Sequence, residues 1–184
     1  MLHALKSHPL KKVIVVSSTR VYGESAGERV DDDTCPQPSD AQGQVLLNME
    51  AAWQQAYPSE CVIVRPTGIY GTSVARMIKL AETTKAYPKL HWSNRIHVED
   101  LAAFLAQLLH VEHTEKSYIC SNSQPLPLHE IIQWFQQQLG LPALVLESDV
   151  PSGKQIYASR MQQMNFELQH SHCFDDYLEL LAER

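Results

Sequence analysis

The stretch that decides the fold is VIVVSSTRVYG, residues 13–23. Four β-branched residues run without interruption and end in two serines, which is typical of a parallel strand covered on both faces. A second run of this kind is CVIV, residues 61–64. Between the two, the apolar residues of 41–57 recur at helical spacing, with Ser39 or Asp40 as the candidate N-cap. This strand–helix–strand order predicts an α/β fold with a parallel sheet.

Further elements follow along the chain. The sequence predicts a loop over residues 24–39, helices over 74–86, 99–110 and 127–139, a strand at 118–120, and one or two short helices in 154–184. The first strand begins only a dozen residues into the chain, yet it has the composition of a central strand, and a central strand needs neighbours on both sides. We therefore expect part of the sheet to be missing at the N-terminal side.

Composition argues against several classes of function. Fifteen basic and 21 acidic residues give a net charge of −6 with histidine neutral, which disfavours nucleic acid or an anionic membrane as a general partner. No apolar run approaches the roughly 20 residues of a membrane-spanning helix. The four cysteines include no CxxC pair, so neither a disulfide framework nor a zinc knuckle is indicated. We expect a reduced, cytoplasmic protein.

Three short motifs occur in a fixed order: SSTRVYG at 17–23, RPTGIYG at 65–71 and RIHVEDLA at 95–102. Together they resemble the extended short-chain dehydrogenase/reductase family of the NAD-dependent epimerase/dehydratase type, from about residue 12 to about residue 140. Within that family the chain is similar to the atypical, nucleoside-diphosphate-sugar epimerase-like branch, and its tail around Gly153-Lys154 also resembles that branch.

The resemblance implies a fold and a domain organisation. It predicts the C-terminal part of a Rossmann-like, doubly wound parallel sheet with a small substrate lobe. Residues 1–184 would be a single partial NAD(P)-binding domain, with the dinucleotide-binding N-terminal part missing. The substrate lobe would be built mainly from about 74–97 and 141–184.

The resemblance also implies an active site. Ser18 would be the hydroxyl that orients the substrate, at the carboxyl end of a strand where open α/β sheets bind ligands. The family's acid–base pair is a tyrosine followed four residues later by a lysine, whose charge lowers the tyrosine pKa. Gly43 and Glu50 set the register and place Gln42 and Leu46 at these two positions. Because neither side chain titrates, we expect catalysis to be impaired.

The cofactor implied by the resemblance is NAD or NADP. The family holds its pyrophosphate on a glycine-rich turn at a helix N-terminus. The chain has seven glycines and no GxxGxxG pattern, so we do not expect these 184 residues to bind the cofactor measurably. Pro66, Thr67 and Gly68 resemble the loop that touches the nicotinamide end.

Two arginines are candidates for binding the substrate. Arg76 lies near the position where the family places a phosphate-binding arginine, although Val74 occupies that position itself. Arg95 lies in the better-preserved third motif, where a helix-capping or salt-bridge role is an equal alternative. The same motif predicts His97 as a packed histidine and Asp100 as the cap of the following helix.

No metal centre is predicted. Residues 170–173 read HSHC, but a single short segment contributes, so a solvated loop is favoured over a metal site.

Two functions remain open. The first is an NAD(P)-dependent nucleoside-diphosphate-sugar epimerase, dehydratase or reductase, truncated and impaired as it stands, with a sugar nucleotide as its small-molecule partner. Tyr22 is the only phenol near Ser18, and a packing role is favoured for it over a catalytic one. The second is a non-catalytic, degenerate homologue that binds a small molecule or a protein. The resemblance is also compatible with a homodimer.

Overall fold

The computed structural model describes residues 10–23 and 25–183. The strands are β1 (Val13–Val16), β2 (Ala26–Val30), β3 (Cys61–Pro66), β4 (Gly68–Tyr70), β5 (Ala86–Tyr87), β6 (Leu90–Ser93), β7 (Arg95–His97), β8 (Ser117–Cys120), β9 (Leu126–Pro127), β10 (Val145–Leu146) and β11 (Pro151–Ile156). The helices are α1 (Ala41–Ala56), α2 (Ala75–Thr83), α3 (Val98–His110), α4 (Leu128–Gln138), α5 (Ser159–Gln163) and α6 (Cys173–Ala182), and a 3-10 turn spans Thr19–Val21.

The central sheet has the order β1-β3-β8, and both of its pairings are parallel. Val13 is paired with Cys61 and Val16 with Val64, so the predicted pairing of the first two strands is confirmed. All six residues of β3 are buried, as expected for a strand covered on both faces. This sheet matches the Rossmann-like class that the sequence predicts.

Helix α1 connects β1 to β3 and packs on the 3-10 turn that follows β1. It begins after Asp40, whose Oδ1 accepts a hydrogen bond from the backbone N–H of Gly43 at 2.7 Å. A Cβ atom at Gly43 would lie 2.8 Å from the carbonyl oxygen of Arg20, so only glycine permits this close approach. The first turn of α1 is thereby held against the residues that follow β1.

A second sheet has the order β2-β11-β6-β9, with only the β6–β9 pairing antiparallel. The predicted loop over 24–39 is therefore wrong for Ala26–Val30, which forms strand β2. The hydrogen bonds of β2 come from β11, far along the chain, so a local pattern with one glycine, three aspartates and two prolines gives no sign of the pairing. The register of β11 shifts between Gly153 and Lys154, and Gly153 has a φ of +70°.

Two large clusters of buried side chains, and a smaller one that includes Tyr57, Cys61 and Ile63, hold the helices and sheets together. The larger lies around the central sheet and includes Tyr22, Phe104, Leu108, Ile119 and Ile156. The second joins α2, α4 and α6 through residues such as Ile78, Ile131, Phe135 and Tyr177. The helices predicted downstream all occur, each within three residues of its predicted ends. No helix within the described ranges is long and apolar enough to cross a membrane.

Candidate functional site

The ends of the three central strands are joined at one edge of the sheet. The hydroxyl of Thr19, which follows β1, donates to the carbonyl of Pro66 at the end of β3 (3.3 Å). The backbone N–H of Thr67 donates to the carbonyl of Cys120 at the end of β8 (3.0 Å). This is the edge at which open parallel sheets bind ligands.

Ser18 lies at this edge, as its position after β1 predicts. Its Oγ accepts a hydrogen bond from the backbone N–H of Arg20 (3.2 Å) and caps the 3-10 turn. Accepting that bond uses a lone pair and leaves the hydroxyl proton able to donate to a ligand. The capping role and a role toward substrate are therefore compatible.

Gln42 and Leu46 lie on α1 beside this edge. Gln42 is exposed in the first turn, next to Gly43, which contacts the carbonyl of Arg20. Leu46 is half-buried and packs against the larger cluster of buried side chains. Neither provides an acid, a base or a charge.

Tyr22 is 1% exposed and engaged by its neighbours, in agreement with the packing role predicted for it. Arg65 donates from Nη1 to the Tyr22 hydroxyl (2.8 Å) and from Nη2 to Oε2 of Glu50 (2.6 Å). Burial raises the pKa of the Tyr22 phenol, although the nearby guanidinium opposes the shift. Tyr22 is therefore unsuited to act as a base.

The loop after β3 borders two adjoining hollows in the surface. Gly68, Ser93 and Asn94 line both of them. The backbone N–H of Gly68 donates to the carbonyl of Asn94 (3.0 Å), and a Cβ at Gly68 would lie 2.9 Å from that oxygen. Thr67 is buried and lines one hollow, and Gly68 is exposed.

We call the first hollow the arginine pocket. It has a volume of about 190 Å³ and is lined by Arg76, Arg95, Ser73 and Tyr177, among others, with no carboxylate among its lining residues. Arg95 is only 7% exposed, and its Nε donates to the hydroxyl of Tyr177 (2.9 Å). Arg76 is exposed, on the first turn of α2. The structure therefore brings the two predicted arginines to one pocket.

We call the second hollow the lysine pocket. It has a volume of about 480 Å³, and its lining includes Thr19, Thr67, His91, Ser152 and Lys154, with no carboxylate among the described residues that line it. Nζ of Lys154 donates to the backbone carbonyl of Tyr22, directly after the 3-10 turn. Burial lowers the pKa of His91, and the charge of Lys154 lowers it further.

Asn94 fixes the wall between the two pockets. Its Nδ2 donates to the carbonyl of Lys154 (2.8 Å), and its Oδ1 accepts from the backbone N–H of Ile156 (2.8 Å). Asn94 thus connects β11, which its side chain contacts, to Gly68, which its backbone carbonyl contacts.

The third motif needs one correction. His97 is buried, as predicted, but it is His97 that caps α3, by accepting from the N–H of Glu99 at 3.3 Å. The prediction that Asp100 is the cap is wrong. Its carboxylate is buried and accepts from the backbone N–H groups of Gln169 (2.9 Å) and His170 (3.1 Å), so it ties the C-terminal segment to α3.

The predicted solvated loop at 170–173 is also wrong for His170. This ring lies between Asp176 (Nδ1 to Oδ1, 2.6 Å) and Glu99 (Nε2 to Oε2, 3.3 Å). His97, Glu99 and His170 have candidate ligand atoms within 4.8 Å of one another. The His97 and His170 rings, however, are stacked, with centroids 3.5 Å apart. Their in-plane lone pairs do not converge as a zinc ion at about 2.0–2.1 Å requires, so the cluster is better described as an ion-pair network.

The model of the NAD dependent epimerase/dehydratase family matches residues 1–120. The chain belongs to this family. No curated protein matches the chain.

Solved structures agree with this assignment. A Methylobacillus flagellatus protein described as an NAD-dependent epimerase/dehydratase is 35% identical with a TM-score of 0.84, and the match covers 99% of this chain and 67% of that one. The dTDP-glucose 4,6-dehydratase of Bacillus anthracis, in complex with NAD, has a TM-score of 0.78 at 18% identity, covering 100% and 65%. The UDP-glucuronic acid 4-epimerase of Bacillus cereus, in complex with NAD, has a TM-score of 0.74 at 18% identity, covering 91% and 60%.

The site of this epimerase/dehydratase family member differs in part from the sequence-based expectation. Both arginines line the arginine pocket, Thr67 lines the lysine pocket and Gly68 lines both, whereas Ser18 and Pro66 lie next to lining residues and line neither pocket. Sequence reasoning missed His91, for which no motif gave a signal. It also gave no role to Lys154, although the Gly153-Lys154 pair was part of the resemblance in the tail.

Proposed function

We propose that this chain binds a nucleoside-diphosphate sugar and serves the chemistry of an NAD(P)-dependent epimerase, dehydratase or reductase, with catalysis impaired. The observation that carries the proposal is the arginine pocket. Arg76 and Arg95 both line it, and no carboxylate does, although the chain as a whole has a net charge of −6. A pocket of this kind fits a diphosphate, because guanidinium groups bind phosphate oxygens by charge-assisted, often bidentate hydrogen bonds.

The surroundings of this pocket support the same ligand. Helix α2 begins at Ala75 beside it, and helix N-termini favour anions. The substrate lobe, which we propose is built mainly from about 74–97 and 141–184, would enclose the nucleotide. Two of the structural neighbours carry UDP-sugars together with NAD, namely MoeE5 with UDP-glucuronic acid and with UDP-glucose.

The adjoining lysine pocket is proposed to hold the sugar. It lies beside the 3-10 turn that Ser18 caps, and its border includes Thr67 and Gly68. Ser18 would donate its hydroxyl proton to the oxygen on the sugar carbon that is oxidised, which orients that carbon.

The described residues fit only one end of the cofactor. Gly68 is exposed and lies in the loop Pro66–Gly68, which would contact the nicotinamide ring. NAD or NADP, when bound there, supplies the hydride acceptor for the oxidation of a sugar carbon. No glycine-rich turn for the pyrophosphate occurs in the sequence, so we propose weak cofactor binding by these residues.

A second function is favoured by Gln42 and Leu46. If they occupy the tyrosine and lysine positions of the family, the chain lacks the usual acid–base pair, and it would act as a non-catalytic module that binds a small molecule or a protein. A nucleotide in the arginine pocket is required by the first proposal and is compatible with the second. The two proposals differ in whether any hydride transfer follows.

Calorimetry and absorbance separate these proposals. UDP-glucuronic acid, UDP-glucose and UDP are titrated into the chain, and NADH formation is followed at 340 nm with millimolar NAD⁺. We expect saturable binding of UDP compounds and, because the cofactor is held too weakly for its binding to be measured, slow NADH formation that does not saturate at millimolar NAD⁺. Binding without any NADH would favour the non-catalytic module. No binding of any UDP compound would contradict both the nucleotide site and the enzymatic proposal, and micromolar NAD⁺ binding would contradict the proposed weak cofactor site.

A further inference from the structure

His91 lies in the lysine pocket on β6, and its hydrogen bonds determine which ring nitrogen carries a proton. The hydroxyl of Ser152 donates to the backbone carbonyl of Leu90 (3.2 Å). The Nδ1 atom of His91 lies 3.1 Å from the same Ser152 oxygen. A serine hydroxyl has one proton, and the Leu90 carbonyl can only accept, so both contacts are satisfied together only when that proton goes to Leu90. This assignment makes Nδ1 of His91 the donor to Ser152.

The consequence concerns the other nitrogen of the ring. A neutral imidazole has one N–H and one lone pair, so a proton on Nδ1 leaves the lone pair on Nε2. Within the part of the chain that the structure describes, His91 makes no other hydrogen bond. This arrangement is typical of a histidine that acts as a general base. A neighbouring group, here Ser152, holds one nitrogen protonated, and the opposite nitrogen accepts the proton.

The position of the ring depends on the bulge in β11. A Cβ atom at Gly153 would lie 2.9 Å from Cε1 and 3.1 Å from Nδ1 of His91. Gly153 also has a φ of +70°, which side chains rarely adopt. The bulge therefore places backbone without a side chain against the imidazole and puts Lys154 next in the strand.

The electrostatic surroundings favour the neutral ring. Burial lowers the pKa of His91, and Lys154 on the neighbouring strand adds a like charge that lowers it further. Among the residues that the structure describes, no carboxylate lines the pocket. His91 thus keeps its lone pair at neutral pH.

We propose that His91 is the proton acceptor of this site, with Nε2 directed to a hydroxyl of the sugar. The inference rests on the proposed function, since it requires a nucleotide sugar in the two pockets. In an oxidation, the O–H bond of that hydroxyl breaks and its proton passes to Nε2. The C–H bond at the same carbon breaks as hydride passes to a nicotinamide dinucleotide, and a carbonyl forms. His91 would replace a titrating group that Gln42 and Leu46 do not supply.

Imidazole nitrogen spectroscopy on the ¹⁵N-labelled chain tests the tautomer without any turnover. At pH 7 we expect His91 with Nδ1 protonated and Nε2 unprotonated, and a titration midpoint below the ordinary value of about 6.5. In Ser152→Ala this preference should weaken, because the acceptor for Nδ1–H is removed. A His91 ring with the proton on Nε2, or with a midpoint above the ordinary value, would overturn the inference.

Contact with the sugar is tested by comparing UDP-glucuronic acid with UDP, which has the same nucleotide and no sugar. We expect UDP-glucuronic acid to shift the Nε2 resonance of His91 and UDP to leave it unchanged. His91→Asn, which keeps an N–H group toward Ser152, should weaken UDP-glucuronic acid binding about fivefold and leave UDP binding unchanged. His110→Asn, an exposed change at the end of α3, should alter neither affinity.

The outcomes separate this inference from the proposed function. UDP-glucuronic acid that binds without moving Nε2 would overturn the role of His91 and leave the nucleotide site standing. If neither UDP compound binds, the nucleotide site itself is refuted, and the assignment of a substrate contact to His91 is refuted with it.

Discussion

Arg65 and Glu50 form a buried ion pair in which Nη2 lies 2.6 Å from Oε2. Their side chains are 9% and 2% exposed. Glu50 comes from α1 and Arg65 from β3, so the pair fastens the crossover helix to the central sheet. The remaining Nη1 donates to the Tyr22 hydroxyl and extends the contact to the residues after β1. One guanidinium thus positions three segments that border the candidate site.

Removing one partner of this pair should be strongly destabilising. Glu50→Ala leaves the Arg65 charge buried without a partner, for which a loss of about 3–5 kcal/mol in the free energy of unfolding is expected. Asp33→Asn is the control, because the Asp33 side chain, which pairs with Arg160, is 87% exposed and such pairs contribute about 0–1 kcal/mol. Urea denaturation measures both. Equal losses in the two variants would contradict the structural role of Glu50.

Nucleotide binding should depend on the arginine pocket. Arg95→Gln removes a charge whose hydrogen bonds to a phosphate contribute about 1.5–3 kcal/mol, so the Kd for UDP should rise about tenfold to a hundredfold. Arg29→Gln removes the same charge from β2, outside both pockets, and should leave the Kd unchanged. Calorimetry at two salt concentrations checks the result. Equal affinities for both variants would argue against a diphosphate at Arg95.

The elements that could be predicted are those whose own sequence shows an apolar run or a helical periodicity. The runs at 13–16 and 61–64 carry their own evidence of burial, so the parallel pairing of β1 and β3 followed from composition and order. Strand β2 did not, because its partner β11 is distant and glycine and aspartate at 24–39 favour turns. In the site, motifs led to Ser18 and Arg95. The tautomer of His91 depends on Ser152 and Leu90, which only the fold brings together.

The network around His170 predicts a dependence of stability on pH. Burial lowers the pKa of His170, but the hydrogen bonds to Asp176 and Glu99 outweigh it, so the pKa is raised overall. The neighbouring His97 behaves in the opposite way, since burial and then the charge of His170 lower its pKa. The hydroxyl of Tyr70 also donates to Asp176 (2.5 Å), and Asp100 adds a further negative charge.

A raised histidine pKa stabilises the folded state fully below the unfolded value of about 6.5, and this contribution is lost as the pH rises through the folded pKa. The difference in unfolding free energy between the native chain and His170→Gln should therefore be about 1 kcal/mol at pH 6 and smaller at pH 9. Comparing the two proteins cancels effects that are common to both. The pKa of His97 is lowered, so its titration changes the unfolding free energy at lower pH than that of His170. A difference that grows toward pH 9 would show that His170 is not held in its charged form.

The final prediction concerns the two altered positions on α1. In a protein that joins this chain to a dinucleotide-binding segment of the family, Gln42→Tyr with Leu46→Lys should raise NADH formation from UDP-sugars, because positioned acid–base catalysis contributes about 10²–10⁴-fold. Gln42→Tyr alone should help less, since the pKa of its phenol would stay near 10 without the neighbouring cation. Leu46 packs against the larger cluster of buried side chains, so Leu46→Lys should also reduce stability.

Leu46→Lys alone is the matched control for that loss, because it carries the structural cost without the phenol. Rates are compared at one temperature below the unfolding transitions of all four proteins, at millimolar NAD⁺. In the double variant, turnover should also depend less on His91 than in the native chain, because a second base is then present. One set of results would contradict these assignments: turnover that Ser18→Ala abolishes but that neither the double substitution nor His91→Asn changes. The substrate proton would then pass to a group other than His91 or the introduced tyrosine.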